Sequence, residues 1–199
     1  MQTDYEHPIG KKGKIETGAR VSLREIQNNY KVELSDDDVA FTTLSTFTDN
    51  LLYIENIYAA YALYGNEWKR ISYQVGLRGE YSDIETDLEL SGLSNPRSYF
   101  NLFPSAFIQH QVSENYQIVY TANRRITRPN YRLLNPFVYY IDPLTSERGN
   151  PNLKPQYSTN LEMNHVVKGM YQFTIGYSET EDAFMQVFVQ NQEERTTTT

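Results

Sequence analysis

The chain carries three histidines, His7, His110 and His165, on separate strand or turn segments with no metal-ligand spacing between them. Strand-surface or turn positions are the reading that this spacing supports. There is no cysteine, so disulfides and thiolate metal sites are excluded. Asp36-Asp37-Asp38 could attract Ca²⁺, but a calcium loop also needs its central Gly and distal Glu, and the run reads as a solvated acidic loop. No nucleophile elbow, phosphate loop or dinucleotide fingerprint occurs. The chain is therefore expected not to be an enzyme and to use no cofactor and no metal. What remains is a set of polar side chains, Arg20, Arg24, Arg78, Glu80, Asn123, Arg125 and Glu162, on the polar faces of alternating segments. Such groups suit cross-strand ion pairs along a wetted wall, with ligand contact as the functional alternative.

Those positions call for strands. Ile71, Tyr73, Val75, Leu77 and Tyr81, with Gly79 among them, alternate with Ser72, Gln74, Gly76, Arg78 and Glu80. An apolar face and a polar face at period two are the strand signature. Ile15, Thr17, Ala19, Val21 and Leu23 repeat it against Glu16, Gly18, Arg20, Ser22 and Arg24, and Tyr171, Phe173, Ile175 and Tyr177 against Gln172, Thr174, Gly176 and Ser178. Ile57, Ala59, Tyr61 and Leu63 read as a fourth apolar face. Segments 98–112 and 116–126 alternate less cleanly, and the pattern leaves their faces open.

The connections carry more information. A short turn region at 7–13 precedes a strand at about 14–27, a long polar stretch at 28–49 and a strand at 50–64. Gly65-Asn66-Glu67 reads as a tight turn before a strand at 68–82, and a long stretch covers 83–97. Strands at 98–112 and 116–126 flank the turn Ser113-Glu114-Asn115. The longest stretch, 127–155, leads to a strand at 156–167, the turn Lys168-Gly169-Met170 and a strand from 171. Short and long connections alternate, so an up-and-down meander has every short turn at one end and every long loop at the other. Outer-membrane barrels have this asymmetry.

Composition agrees. No run approaches the ~18 apolar residues of a membrane-spanning helix, which leaves barrels open, since a barrel strand is apolar only at alternate positions. The 17 tyrosines suit strands and lipid–water borders. Tyr64, Trp68, Tyr116 and Tyr171 lie near short turns, and Tyr53, Tyr81 and Tyr99 near long loops, as an aromatic girdle would. A net charge of −7 argues against nucleic acid as a partner. Met1 leads straight into polar residues, so an export signal is expected to lie outside the sequence. Thr196 to Thr199 reads as a fraying end. On pattern alone a soluble β-sandwich stays open.

Residues 123–162 narrow the choice. They contain Asn-Arg-Arg-Ile-Thr-Arg-Pro-Asn-Tyr-Arg-Leu-Leu-Asn-Pro-Phe from Asn123, Asp142-Pro143, and Gly149-Asn150-Pro151-Asn152-Leu153-Lys154-Pro155-Gln156. The stretch resembles the outer-membrane β-barrel family of TonB-dependent receptors of the Bacteroidetes type, with Gln156 where that family usually has Glu. Asp4-Tyr5, His7-Pro8, Glu55-Asn56-Ile57 with Ala59-Ala60-Tyr61, and Tyr99-Phe100-Asn101-Leu102-Phe103-Pro104-Ser105 fit it in the same order. The prolines cannot donate to a strand ladder, so 127–155 lies outside the sheet. Gly149-Asn150 favours a positive-φ turn, and Phe137 and Leu153 are expected to pin the loop against the barrel mouth.

The resemblance implies an all-β fold, an antiparallel up-and-down meander of about eight strands forming part of a larger transmembrane β-barrel in the cell outer membrane. Residues 1–199 make one partial barrel domain with neither a plug domain nor a closing C-terminal strand in view. Such barrels close with about twenty-two strands around a plug. The implied function is nutrient uptake by a TonB-dependent receptor. Partners would be outer-membrane lipid, the plug domain, the TonB energy-coupling complex and a nutrient ligand. Ligand contacts would come from Arg78, Glu80 and Arg125 in the lumen and Tyr131, Phe137, Tyr139 and Tyr140 in the loop. A passive or adhesive barrel and a secreted soluble β domain are the alternatives.

Overall fold

The computed structural model of the chain describes residues 1–35, 40–43, 48–142, 144–191 and 196–198. The Asp36-Asp37-Asp38 run lies outside the described residues, as do the side chains at 34, 140, 142, 191 and 196–198. Eight strands follow one another in chain order across one antiparallel sheet: β1 (Gln2–Ile9), β2 (Gly13–Tyr30), β3 (Asp49–Trp68), β4 (Ile71–Leu88), β5 (Arg97–Ser113), β6 (Tyr116–Thr127), β7 (Gln156–Val167) and β8 (Tyr171–Glu181), with the two-residue strand Leu93–Ser94 paired to the end of β4. The expected meander is what the chain forms. Short turns join β1–β2, β3–β4, β5–β6 and β7–β8 at one end, and connections 31–48, 89–96 and 128–155 lie at the other.

Several boundaries differ from the sequence reading. Gly65-Asn66-Glu67 is not a turn: these residues pair with Gln74, Tyr73 and Ser72, and the chain reverses at Lys69-Arg70. Lys69 takes φ 55° there, a left-handed conformation for which glycine is the usual choice. Cross-strand pairing outweighed the local turn preference of Gly-Asn. His7 and Pro8 lie in β1, paired with Ile15 and Lys14. Thr196–Thr198 is not a fraying end but a short strand, parallel to Thr145–Arg148, which also pairs with Val138–Asp142.

The register fixes two faces. Ile15 and Val21 pair with Tyr64 and Tyr58, which pair with Val75 and Tyr81, which pair with Ala106 and Phe100. On the far side Ala122, Leu161 and Tyr177 continue this outer face. Val75, Leu77, Phe173 and Ile175 are 45%, 49%, 63% and 50% exposed, so no second sheet covers them and a sandwich is ruled out. Arg20, Gln74, Arg78 and Gln172 sit at the opposite, inner positions.

Ile57, Ala59, Tyr61 and Leu63 contradict their expected outward placement. They pair with Ser22, Arg20, Gly18 and Glu16 and therefore face inward, while Tyr58, Ala60, Ala62 and Tyr64 face out. Both faces of β3 are apolar, so alternation could not choose between them. Glycines on the neighbouring strands explain how the inner face accepts such bulk. Tyr61 lies over Gly18 and donates to Asp4 Oδ1 at 2.6 Å, and Leu63 occupies the space above Gly76. A large side chain covering a strand glycine restores the contact that the missing Cβ forgoes.

From Ile71 to Tyr81 the apolar outer run is about 33 Å long at ~3.3 Å per residue. A strand tilted by ~40° crosses about 25 Å in that length, the height of a barrel's apolar band. Beyond it Asp83, Glu85 and Asp87 replace the outer apolar residues. On that extension the inner face turns apolar and is covered: Leu51, Tyr53, Ile84 and Leu88 are buried. The cluster of Tyr53, Ile84 and Leu134 therefore sits above the band, at the long-loop end. Of the expected girdle residues, Tyr53 and Tyr99 belong to this core rather than to the outer surface, because their register places them inward beside Thr86 and Ser82.

A matched pair of substitutions checks this packing. Gly76→Ala forces Leu63 aside, whereas Gly176→Ala meets its nearest atom, Glu162 Cγ, at 3.6 Å. Gly76→Ala is expected to cost about 1–3 kcal/mol and Gly176→Ala little, read as denaturant midpoints of the protein in detergent. Equal midpoints would refute the Leu63 placement.

Candidate functional site

The long-loop end is organised by 128–155, which folds back over the inner face. Asn130 caps the single-turn helix α1 (Tyr131–Leu134), its side chain accepting from the Leu133 amide at 3.0 Å. Leu134 is buried against Tyr53 and Ile84, with Ile26, Tyr99, Tyr131 and Leu153 around it. Leu153 thus pins the loop as expected, and Phe137 packs edge-on against Tyr30 at 5.4 Å. Gly149 needs another explanation than a positive φ, which it does not have. A Cβ there would strike the carbonyl oxygens of Arg132, Leu133 and Asn135, while its N–H donates to Asn135 O at 2.9 Å and that of Asn150 to Leu133 O at 2.7 Å. Close backbone approach requires the glycine.

Polar contacts hold the loop at both ends. Arg128 Nη2 donates to Glu80 Oε2 at 2.7 Å and to Ser82 Oγ at 2.8 Å. Arg78 Nε donates to the other Glu80 oxygen at 2.5 Å. Glu80 and Ser82 are buried beneath them. Burial alone would lower the Arg128 pKa, but the hydrogen bond and charge of Glu80, with Tyr99 beside it, raise it above its ordinary value, so the guanidinium stays charged. At the other end Asn95 Nδ2 donates to Pro151 O at 2.7 Å and Arg97 donates to Leu153 O. Two buried donors of this layer, Asn101 Nδ2 and Arg128 Nε, have no partner within the described chain, which leaves hydrogen-bonding capacity for water or a bound group.

Arg78 and Glu80 are thus brought together, with Arg128 as a partner that the sequence reading did not single out. The Arg-Pro motif contained it; only the return of the loop over β4 reveals the pair. Arg125 faces inward opposite Ser158, exposed and apart from this cluster. Tyr131, Phe137 and Tyr139 line a second feature, a cavity of about 260 Å³ between β2 and the loop. The side chain of Tyr140 lies outside the described residues. Among those described, no group of three His, Cys, Asp or Glu residues could share a metal ion. His165 instead accepts from or donates to Tyr116 Oη at 2.6 Å on the outer face.

The family model described as the outer membrane protein beta-barrel family matches residues 1–199. The chain belongs to this family. No curated protein matches it. Membership of the outer membrane protein beta-barrel family places the chain in the outer membrane and makes the apolar outer face the lipid face and the polar inner face the lumen wall. The loop 128–155 then stands at the cell-surface end, where such barrels carry their long loops.

Val75→Arg is expected to cost about 2–4 kcal/mol in bilayer insertion, while Gln74→Arg, pointing into the lumen, costs little; folding yields into lipid vesicles compare the two, and equal yields would reject the assignment of faces. Glu80→Ala strands Arg128 in a buried site and is expected to destabilise by about 3–5 kcal/mol. Arg128→Ala leaves Glu80 its bond to Arg78, so its effect is smaller and is read as faster tryptic cleavage after Arg132 and Arg148. Unchanged cleavage would show that Arg128 does not hold the loop.

Proposed function

We propose that this barrel segment belongs to a TonB-dependent receptor that takes up a nutrient without altering it chemically. The observation that carries the reading is the loop 128–155, folded over the lumen side of the rim and fastened to the wall through Arg128, Glu80 and Ser82. A loop packed into a buried core at the mouth suits a receptor, because a ligand must be recognised outside and then admitted. In this reading the lumen polar layer, with Asn101 and Arg128 retaining unused donors, faces a plug domain. The inner-membrane energy-coupling complex acts on that plug. Arg78, Glu80 and Arg125 serve the lumen side and Tyr131, Phe137, Tyr139 and Tyr140 the outer side.

A genetic test avoids needing the ligand. Deleting the gene of the full-length protein is expected to slow growth on a defined nutrient mixture, and to add no defect in cells that lack the coupling protein. A defect of equal size in both backgrounds would identify a passive or adhesive barrel instead.

A further inference from the structure

We propose that the short-turn rim binds anionic phospholipids of the periplasmic leaflet, with phosphate sites at Lys69–Arg70 and at Lys168. The short turns lie opposite the cell-surface loop, so they meet the membrane at its periplasmic border. In a chain of net charge −7, the turns at this end carry Lys11, Lys12, Lys69, Arg70 and Lys168 against one acid, Glu114. The other acids of this end, Glu6, Glu16 and Glu67, stand at inner positions and are paired with Lys14 and Lys12. Lys11, Lys69, Arg70 and Lys168 have no acidic partner among the described residues.

These cations border the lipid face. Trp68 pairs with Ile71 and Ile71 with His110, and the row runs on through Ile118 to His165 and Phe173. Trp68, at the end of this row, is 64% exposed. Lys69 Nζ lies 5.0 Å from the centre of its ring, so the ammonium is held at the depth where an interfacial tryptophan meets headgroups. Arg70 is anchored beside it. Its carbonyl accepts from the Gln111 N–H at 2.8 Å and its Nη1 donates to Val112 O at 3.0 Å. That bond occupies one of five guanidinium donors and leaves the others for phosphate oxygens. Further along the rim, the Lys168 N–H donates to Asn115 O at 2.6 Å and ties its turn to the neighbouring one.

Backbone strain marks both lysines. Lys69 and Lys168 take φ 55° and 54°, whereas the β1–β2 turn places Gly10 at φ 63°. A side chain kept where glycine is easier points to a use for that side chain. A zwitterionic headgroup gains little here, because its own ammonium meets the same cations. A headgroup whose phosphate charge is unbalanced gains fully. An acidic protein would have to displace the lipid that covers Trp68 and Phe173.

The test uses the full-length protein in non-ionic detergent. It is titrated with phosphatidylglycerol or with phosphatidylethanolamine of the same acyl chains, and bound lipids are counted by native mass spectrometry. Phosphatidylglycerol should bind more tightly, and raised salt should weaken it in the unaltered protein. Lys69→Gln and Lys168→Gln should each weaken binding at their sites by about fivefold, while Lys154→Gln, at the opposite end, leaves it unchanged. Both turn lysines are exposed, and the salt series needs no variant, so a folding failure in one substitution leaves the other measurements decisive. Equal binding of the two lipids, or phosphatidylglycerol binding unchanged in both turn variants, overturns the proposal. So does an equal loss in Lys154→Gln, which would trace the effect to net charge. Capture of a tetra-glutamate peptide that the turn substitutions abolish, with phosphatidylglycerol binding intact, would assign the rim to an acidic protein instead.

Discussion

Inside hydrocarbon a backbone N–H or C=O has no water to turn to, and each one left unpaired costs several kcal/mol. That single constraint sets the rest of the structure. It makes every crossing segment a strand bonded to its neighbours, and the pairing then dictates which face each side chain takes. A slip of one residue between β3 and β4 would send Val75 and Leu77 to the lumen and Arg78 and Glu80 to the lipid. Side chains adapt to the register more than they choose it, as β3 illustrates: its inward Tyr61 and Leu63 are tolerated because Gly18 and Gly76 make room.

The same strands meet two solvents. Over the apolar band the outer face is matched to lipid, and the inner face mixes polar groups such as Arg20, Arg78 and Glu80 with the apolar Ala59, Tyr61 and Leu63 of β3. Above the band the arrangement inverts: acidic residues such as Asp83 and Glu85 face out, while Tyr53 and Ile84 face in and bury Leu134. The loop 128–155 is consequently held by two kinds of force, an apolar contact with the rim and a charged one with the wall at Glu80. Its dense prolines and Gly149 keep it out of the sheet and fold it tightly enough to reach both.

Much of this was legible in the residues. The strict alternation in 71–81, 15–23 and 171–177 gave the faces of three strands correctly, and the alternation of short and long connections gave the meander. The apolar-on-both-sides β3 was misread because period two has no phase when neither face is polar. Gly65-Asn66 was misread because a turn preference of local origin yields to ladder hydrogen bonds with β4. At the rim, Phe137 and Leu153 were recognisable as loop anchors from their apolar character among prolines. Arg128 was not, since its partner Glu80 lies 48 residues away and nothing local marks the pair. Gly149 carried a true signal with the wrong cause, crowding by carbonyls rather than backbone handedness.

The position of the hydrophobic core has a thermal consequence. Apolar groups that leave water, for a protein interior or for lipid, carry a heat-capacity change of about 0.45 cal/K/mol for each Å². In this protein Leu51, Tyr53, Ile84, Leu88 and Leu134 form such an interior, and they belong to the mouth. Burial of this kind weakens as temperature falls. Chilling is therefore expected to weaken the packing of the vestibule, whose loop rests on this apolar contact, more than that of the wall beneath it, which inter-strand hydrogen bonds also hold.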